Sequence, residues 1–553
     1  MLEKEIFLIP KRPKAKPCFG VSWFFPSPYN IGMSGLGYQL VWSLLERDED
    51  IEAKRGFTDC HETGAENSEL FGFTVSWELD FVNILSLLKK FGIAELACER
   101  ADEAPIVFGG GPVLTANPEP FADFFDVVLL GDAESVVPTF IDAWKEARRL
   151  ATRAERLLRL AQCAGVYVPR FYQYELESKR GPISKIAATG NDVPQRLTKQ
   201  LFSPPPGYVA HSVILSPDTT WGEMFLVEVV RSCPQECRFC LASFLTRPFR
   251  PAKVNALLDA IDLGLQHTSK IGLLGPSVTE HPKFEEIAEA LRKRPQAKIS
   301  VASVRADSLT ESVLSTLHSL GQRSVTIAIE SGSERLRAIM KKNLSEPEIV
   351  RAVELIDKAG LEGVKFYGIV GLPHETTKDL DETVRLMTAL KKKHKRLKFV
   401  LGLSSFVPKA QTPFQWASRD RECGDKLEYV RKKLAAKGIE VRAESHNWSD
   451  VQTLLSRGDR RLTEMLLEIA SSKGNLGAWK KAMRQERANC PGADFYIWRE
   501  IPEGETLPWS HLLDNSRTEY LLSHFTAASE TALPHLPPHD LTTMNSAEHT
   551  APS

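Results

Sequence analysis

The 553-residue chain has few cysteines, no long apolar run and almost no net charge. Nine cysteines are too few for a disulfide framework in a chain of this length, which predicts a reducing compartment. No uncharged apolar run approaches the length of a membrane-spanning helix, and the N-terminus lacks the pattern of a secretory signal. Lys and Arg number 70 against 71 Asp and Glu, so no global field favours a nucleic acid or a membrane as partner. The expectation is a cytoplasmic protein with no membrane partner.

Three of the nine cysteines stand in one short loop. Cys233, Cys237 and Cys240 have the spacing C-x3-C-x2-C and follow the apolar run 224–230. Three thiolates can bind three irons of a cubane cluster, which leaves the fourth iron without a protein ligand. A closed zinc site needs a fourth Cys or His, and the nearest candidates in the sequence are more than twenty residues away: Cys163, His211 and His267. The pattern therefore favours a [4Fe-4S] cluster with one open iron.

This loop resembles the signature of the radical S-adenosylmethionine (SAM) superfamily, C-x3-C-x-Φ-C with an aromatic Φ, here Phe239. The resemblance implies that Cys233, Cys237 and Cys240 hold a [4Fe-4S] cluster, that SAM chelates the open iron, and that Phe239 flanks the adenine. It also implies an enzyme that reductively cleaves SAM to a 5′-deoxyadenosyl radical. The implied partners are a substrate, either a small molecule or of unknown kind, and an electron donor, either a reductase or a flavodoxin or ferredoxin. Catalytic side chains stay unidentified.

Six strand candidates alternate with helices and predict a partial (β/α)6 TIM-type barrel over residues 223–420. These strands cover residues 224–230, 270–274, 298–304, 324–329, 364–370 and 398–404. In such barrels the chemistry lies at the carboxyl ends of the strands. There the family resemblance implies cofactor contacts at Gly275, Pro276, Ser303, Arg305, Glu330, Ser331 and Val407. Arg305 is expected to pair either with the SAM carboxylate or with an acid of the barrel, and Gly275-Pro-Ser277 departs from the Gly-Gly-Glu common in the family.

Strands, glycine loops and helices also alternate over residues 18–150, which predicts a doubly wound, Rossmann-like parallel sheet with its ligand at the carboxyl edge. The stretch resembles the cobalamin-binding domain that precedes the barrel in one poorly characterised branch of the superfamily. The matching segments are Gly109-Gly-Gly-Pro112, Asn117-Pro-Glu-Pro120, Phe124-Phe-Asp126 and Gly131-Asp-Ala-Glu134. The resemblance implies cofactor contacts at Gly109, Gly110, Gly131 and Glu134.

The histidine that usually ligates cobalt in that domain has no counterpart in the loop 27–37. A literal D-x-H-x-x-G match places His61 later, in a polar stretch before the second predicted strand. Cobalamin is therefore expected either to bind without a histidine ligand or to be absent. If it binds, the family resemblance implies methyl transfer to an unactivated carbon. Relatives with this domain also catalyse ring contractions or cyclisations, and the sequence does not separate these reactions.

The other segments are a basic arm (1–17), a connector (151–222), a C-terminal α-rich region (421–525) and a disordered tail (526–553). In the C-terminal region, helical spacing predicts one core-facing stripe made of Leu462, Met465, Leu466, Ile469 and Ala470. The basic run 391–398 ends a predicted helix, where cations complement the helix dipole. We expect this run to be solvated and not to bind nucleic acid.

Two other functions stay open. A methylthiotransferase acting on RNA or protein would carry a second cluster on three N-terminal cysteines, and the chain has Cys18, Cys60 and Cys98. Against this, Cys18 begins its predicted strand instead of following it, and no small basic β-barrel is evident at the C-terminus. The second alternative is a non-catalytic redox sensor, which would hold the cluster without cleaving SAM.

Overall fold

The computed structural model describes residues 2–9, 14, 17–472, 474–513 and 515–533. Within these ranges the chain forms two α/β units, a connector between them and a set of C-terminal helices. None of the described helices combines the length and the apolarity that crossing a membrane requires. The expected disordered tail lies outside the described residues from 534 onwards.

The first unit is built on one six-stranded sheet. The strands of the N-terminal half are β1 (Ile6–Phe7), β2 (Phe19–Phe24), β3 (Ile51–Gly56), β4 (Leu70–Thr74), β5 (Ile106–Gly110), β6 (Val127–Leu129), β7 (Val166–Tyr167), β8 (Tyr172–Leu176), β9 (Ile183–Ala188) and β10 (Ile214–Leu215). The helices are α1 (Tyr29–Gly32), α2 (Leu36–Arg47), α3 (Phe81–Lys90), α4 (Pro112–Ala116), α5 (Ala133–Ala147) and α6 (Arg153–Ala161). The spatial order is β3-β2-β4-β5-β6-β7, parallel except for β7. This order confirms the doubly wound sheet, and its strand order reverses between β2 and β4.

Aromatic side chains fill the space between this sheet and its helices. Trp23 of β2 stacks on Phe108 of β5 with ring centroids 5.8 Å apart, and Phe108 contacts Phe140 of α5 at 5.0 Å. All five residues of β4 and of β5 are buried, because helices cover both faces of a doubly wound sheet. The apolar runs in the sequence therefore located these strands correctly.

The second unit is an open barrel in two hydrogen-bonded parts. Its strands are β11 (Phe225–Glu228), β12 (Val230–Arg231), β13 (Arg250–Pro251), β14 (Lys270–Leu274), β15 (Lys298–Val301), β16 (Ser324–Glu330), β17 (Gly363–Val370), β18 (Lys398–Ser405) and β19 (Glu440–Ala443). Its helices are α7 (Leu241–Leu245), α8 (Val254–Leu265), α9 (Phe284–Arg292), α10 (Glu311–Ser319), α11 (Glu334–Ile339), α12 (Glu346–Lys358), α13 (Thr377–Lys393) and α14 (Cys423–Ala435). The parallel parts β11-β14-β15 and β16-β17-β18-β19 meet at a bridge between Val304 and Ile327.

The C-terminal helices are α15 (His446–Arg457), α16 (Thr463–Ser471), α17 (Leu476–Arg484) and α18 (Asn515–Ala532). The predicted stripe on α16 is confirmed as core for Leu462, Met465, Leu466 and Ile469, which join the same apolar cluster as the first sheet, and Ala470 packs against that cluster. The chain therefore folds back, and its C-terminal region shares a core with its N-terminal domain.

Several boundaries differ from the sequence prediction. The barrel has a seventh parallel strand, because β19 pairs with β18 although its residues were assigned to the C-terminal region. The first sheet extends beyond residue 150 through β7, and β8 and β9 form an antiparallel pair within the predicted connector. The expected disorder from residue 526 is wrong up to Ala532, where α18 ends.

Candidate iron–sulfur and S-adenosylmethionine site

The cysteine loop follows the first barrel strand and ends at α7. Two of its non-glycine residues, Ser232 and Glu236, have positive φ angles of 67° and 53°. Such angles are unfavourable for residues with a side chain, by roughly 1–2 kcal/mol each, so the surrounding contacts must hold the loop in this shape. The Cys240 amide donates to the Cys237 carbonyl at 2.9 Å and closes a turn between these two cysteines.

The three thiols of the loop differ in exposure. Cys237 is buried, whereas Cys233 and Cys240 are half-buried, and all three are free of disulfides. In the described part of the chain, no three His, Cys, Asp or Glu side chains are grouped as ligands of a single metal ion. A cubane has a different requirement, because each of its three cysteine ligands binds a different iron. Three thiols in one loop supply the donor set that such a cluster needs.

Lys342 and Arg305 place positive charge near the buried thiol of Cys237. Burial raises the pKa of Cys237 to about 12, and the charges of Lys342 and Arg305 partly offset this effect. Lys342 is itself buried and lies 3.0 Å from the carboxylate of Glu330, the last residue of β16, whose φ of 63° is in the left-handed region. Burial would lower the pKa of Lys342, but the charges of Glu330 and Cys237 outweigh burial and raise it. A buried cation is thus held beside the predicted cluster ligand, where it would offset the negative charge of thiolates.

Arg305 follows β15 and belongs to a chain of polar contacts at the mouth of the barrel. Its guanidinium donates to Asp307 at 2.8 Å and lies 3.4 Å from Glu280. Glu280 accepts a hydrogen bond of 2.6 Å from Gln235, which lies in the cysteine loop. Pairing of Arg305 with a barrel acid, one of the two expected arrangements, is therefore present. A SAM carboxylate contact stays a prediction, as do the contacts of half-buried Ser303.

The segment after β14 contains a glycine in a tightly packed turn and a buried serine hydroxyl without a hydrogen-bond partner among the described residues. Gly275 has φ 156°, and a Cβ there would lie 2.5 Å from Cγ2 of Val230 and 2.9 Å from its carbonyl oxygen. Only glycine fits this close approach of two strand ends. Two residues later, Ser277 is buried and its hydroxyl has no hydrogen-bond partner among the described residues. A buried hydroxyl without a partner is unfavourable unless a ligand completes it, so this segment fits the predicted SAM site at Gly275 and Pro276.

The predicted adenine contacts lie in one small apolar cluster. Phe239 packs against a group of buried side chains that includes Phe406 and Leu372. Val407 directly follows Phe406 and is half-buried. The structure therefore brings the aromatic residue of the cysteine loop to the segment after β18. Ser331 directly follows the last residue of β16, and its hydroxyl accepts a hydrogen bond from the Ser333 amide at 3.1 Å.

The glycines expected to contact cobalamin are packed against the protein itself. A Cβ on Gly109 would lie 2.6 Å from both Leu114 and Phe125, and a Cβ on Gly131 would lie 2.0 Å from the carbonyl oxygen of Gln200. Internal packing accounts for glycine at these two positions, which therefore form no open cradle for a cofactor. Gly110 has only ordinary van der Waals contacts with Leu129. Cobalamin contacts at these glycines stay predictions without support from the packing.

Glu134 lies at the junction of the two units. Its carboxylate accepts hydrogen bonds from Arg231 at 2.8 Å and from the Tyr208 hydroxyl at 3.0 Å. Arg231 also pairs with Glu228 and lies 3.5 Å from Asp132. The sequence offered no signal for Arg231 or Lys342 as residues of the site, because neither belongs to a recognised motif.

Trp77 is an exposed aromatic residue just after the third strand of the first sheet. It follows β4 at the point where the strand order reverses, and its side chain is 52% exposed. The next residue, Glu78, is buried and pairs with Lys409, which lies just beyond Val407. This ion pair connects the segment after β4 to the segment after β18. His61 packs against Phe91 with ring centroids 5.1 Å apart.

The three N-terminal cysteines do not converge. Cys18 precedes β2 and Cys60 follows β3, its parallel neighbour, so about six strand residues, roughly 20 Å, separate their levels in the sheet. Cys98 is exposed beside a cavity of about 330 Å³ that Asp123 and Arg170 also line. This arrangement gives no support to a second cluster of the methylthiotransferase type.

Two family models match the chain. The model described as "Radical SAM proteins, N-terminal" matches residues 57–169, and the model described as "Radical SAM superfamily" matches residues 227–387. The second match contains the cysteine loop and the ends of β14, β15, β16 and β17. Both matches agree with the site built from the structure.

Similar proteins differ in how much of the chain they share. An uncharacterised protein of Methanocaldococcus jannaschii is 27% identical over 483 residues, which cover 87% of this chain and 98% of that protein. An uncharacterised methyltransferase of Pyrococcus horikoshii is 23% identical over 65% of this chain and 74% of its own length. A tRNA-2-methylthio-N(6)-dimethylallyladenosine synthase of Hydrogenobaculum sp. is 25% identical over only 29% of this chain and 39% of that enzyme.

Two solved structures resemble the fold. The radical S-adenosylmethionine methyltransferase TsrM from Kitasatospora setae matches with a TM-score of 0.47 and 14% identity, over 69% of this chain and 72% of that chain. The cobalamin-dependent S-adenosylmethionine radical enzyme OxsB matches with a TM-score of 0.45 and 12% identity, over 97% of this chain and 82% of that chain.

Proposed function

The chain belongs to the radical SAM superfamily, and we propose that it is an enzyme that reductively cleaves SAM at a [4Fe-4S] cluster held by Cys233, Cys237 and Cys240. The observation that carries the proposal is the cysteine loop itself, kept in a strained shape at the end of the first barrel strand. When bound, the cluster supplies the electron that converts SAM to methionine and a 5′-deoxyadenosyl radical.

The protein's part is to hold and orient the reactants. Lys342 and Arg305 place positive charge beside Cys237 and favour its ionised form. The Ser277 hydroxyl and the backbone at Gly275 and Pro276 offer polar contacts to the SAM amino group, and Phe239 offers an aromatic face beside the adenine. The half-buried loop leaves the cluster accessible to an electron donor such as a flavodoxin, a ferredoxin or a reductase.

The test is anaerobic reconstitution followed by incubation with SAM and dithionite. About four irons per chain and formation of 5′-deoxyadenosine are expected. An intact cluster without this product would favour the redox sensor and reject the proposal. About eight irons per chain would instead point to the second cluster of a methylthiotransferase, in spite of the separation of Cys18 and Cys60.

A finer candidate is cobalamin-dependent methyl transfer to an unactivated carbon of a small molecule. Exposure of Trp77 at the strand-order reversal supports it, and the filled space at Gly109 and Gly131 weighs against it. Purification with added hydroxocobalamin, followed by cobalt analysis and a visible spectrum, separates the cases. We expect a bound corrinoid to quench Trp77 fluorescence and to be lost in Trp77→Ala, with Trp221→Ala as the exposed control. A wild-type protein without cobalt would remove this candidate and leave the SAM-cleavage proposal intact.

A further inference from the structure

Tyr367 is an exposed aromatic residue in the middle of a barrel strand. In β17 the side chains of Val364, Phe366 and Val370 are buried in the apolar core beneath the helices. Successive residues of a strand point to opposite faces, so Lys365 and Tyr367 point to the inner face of the barrel. Tyr367 is 40% exposed there. A large aromatic ring on this face is therefore available to a ligand.

The neighbouring strands leave room beside this ring. Tyr367 is in register with Ala328 of β16 and Gly402 of β18, both of which lack a large side chain. A Cβ on Gly402 would lie 3.1 Å from a carbon of the Tyr367 ring. The ring thus lies against β18 at a glycine, and its register partner on β16 is also small.

Lys365 adds a positive charge at one end of the same surface. Its Nζ lies 3.2 Å from the Tyr367 hydroxyl and 4.6 Å from the centre of the ring. Among the residues that the structure describes, no carboxylate is paired with Lys365 within 4 Å. Glu440, which is aligned with Lys365 two strands away through Val400, accepts a hydrogen bond from Arg442 at 2.6 Å. The lysine therefore faces the barrel interior without a counter-ion.

Tyr367 lies one residue before the level of Glu330 in the barrel sheet. Gly368, which follows Tyr367, is in register with Glu330. Glu330 pairs with Lys342, whose charge acts on Cys237. A molecule stacked on Tyr367 would consequently lie inside the barrel, towards its amino end from the SAM contacts.

We propose that Tyr367 and Lys365 bind the substrate, and that the substrate is a planar organic anion. The ring of Tyr367 stacks on the planar part, and the Lys365 ammonium pairs with a carboxylate or phosphate. This proposal rests on the proposed function, because it places the substrate of the SAM-derived radical.

A probe series separates planarity from charge. The reconstituted protein with SAM is titrated with 2-naphthoate, 2-naphthyl phosphate, neutral 2-naphthamide and non-planar decahydro-2-naphthoate, and binding is measured by calorimetry. Either planar anion should bind at least about tenfold more tightly than both controls, an advantage of about 1.4 kcal/mol. The better of the two planar anions identifies the anionic group.

Two variants assign this selectivity to residues. Lys365→Met should abolish the preference for the anion over the amide, and Tyr367→Leu should abolish the preference for the planar over the non-planar anion. Lys358→Met, which changes an exposed lysine of α12, should alter neither preference. Absence of the planar-anion preference in the wild type, or its survival in both variants, would overturn the proposal.

Iron content and substrate-free formation of 5′-deoxyadenosine are measured in the wild-type protein alongside these titrations. This readout separates the two proposals. A wild-type protein that binds the planar anion but does not cleave SAM would contradict the proposed function, whereas one that cleaves SAM without the binding preference would contradict only this inference.

Discussion

Arg231, two residues before Cys233, donates a hydrogen bond of 2.8 Å to Glu134 in the first turn of α5. This contact connects the first α/β unit to the cysteine loop. Glu134 is 4% exposed and Arg231 is 15% exposed, so water screens their pairing only weakly. Arg231, on β12, also pairs with Glu228 at the end of β11. The position of the cysteine loop therefore depends on a contact between the two α/β units.

Glu134→Gln should destabilise the protein by about 2 kcal/mol, because it leaves part of the Arg231 charge buried without its partner. Glu228 limits the loss. Urea unfolding of the apoprotein measures the change. Glu362→Gln is the matched control, since the Arg323–Glu362 pair is about 70% exposed and should contribute less than about 0.5 kcal/mol. Equal effects of the two changes would show that the junction does not depend on this pair.

Replacement of any cysteine of the loop should remove the cluster. In Cys233→Ala, Cys237→Ala and Cys240→Ala, iron after reconstitution should fall to a small fraction of the wild-type content, and 5′-deoxyadenosine should not form, because two thiolates cannot hold the cubane. Cys98→Ala is the control, since Cys98 is exposed and far along the chain from the loop. Loss of iron in Cys98→Ala, or its retention in a loop variant, would reassign the ligands.

The sequence located both sheets and the cysteine loop because these depend on local patterns. Runs of buried residues mark β4, β14 and β17, and the spacing of three cysteines is complete within eight residues of chain. The contacts that complete the site join residues that are far apart in the chain. Arg231 and Glu134 are 97 residues apart, and Lys342 is more than a hundred residues from Cys237.

The boundaries that were wrong have the same origin. Pairing of β19 with β18 and of β7 with β6 decides which unit these short strands belong to, and pairing is not visible in a run of two to four residues. The role of a conformationally special glycine is equally hard to predict from the sequence. A glycine turn looks the same in a sequence whether a cofactor or Gln200 fills the space beside Gly131.

Ser277→Ala should have opposite effects on stability and on SAM binding. The buried hydroxyl has no partner among the described residues, so its removal should stabilise the apoprotein by about 1 kcal/mol. The same change should weaken SAM binding by about fivefold to tenfold, because a hydrogen bond to the SAM amino group is lost. Unfolding of the apoprotein and calorimetry of the reconstituted protein measure the two effects. Ser308→Ala serves as the control, since its hydroxyl already bonds to Thr279 at 2.7 Å. A stable variant with unchanged SAM affinity would exclude Ser277 from the site.

His511 should make stability depend on pH below neutrality. Its ring is fully buried between Tyr167 and Tyr172, and burial lowers its pKa to about 4, although the carboxylate of Glu119, 3.4 Å away, acts in the opposite direction. Arg460, which pairs with Glu119, also disfavours the charged ring.

The unfolded chain binds a proton at His511 near pH 6.5, whereas the folded chain does so only near pH 4. Stability from this residue is therefore full above pH 6.5 and is lost as the pH falls towards 4, by up to about 3 kcal/mol. His511→Phe keeps a ring between the two tyrosines. It should reduce the number of protons taken up on unfolding by up to one, and so reduce the slope of the free energy of unfolding against pH. Urea unfolding of the apoprotein between pH 4.5 and 7.5 measures the slope, with His267→Gln on the surface as control. An unchanged slope in His511→Phe would show that His511 is not neutral and buried in the folded protein, because only a proton difference between the two states can produce the slope.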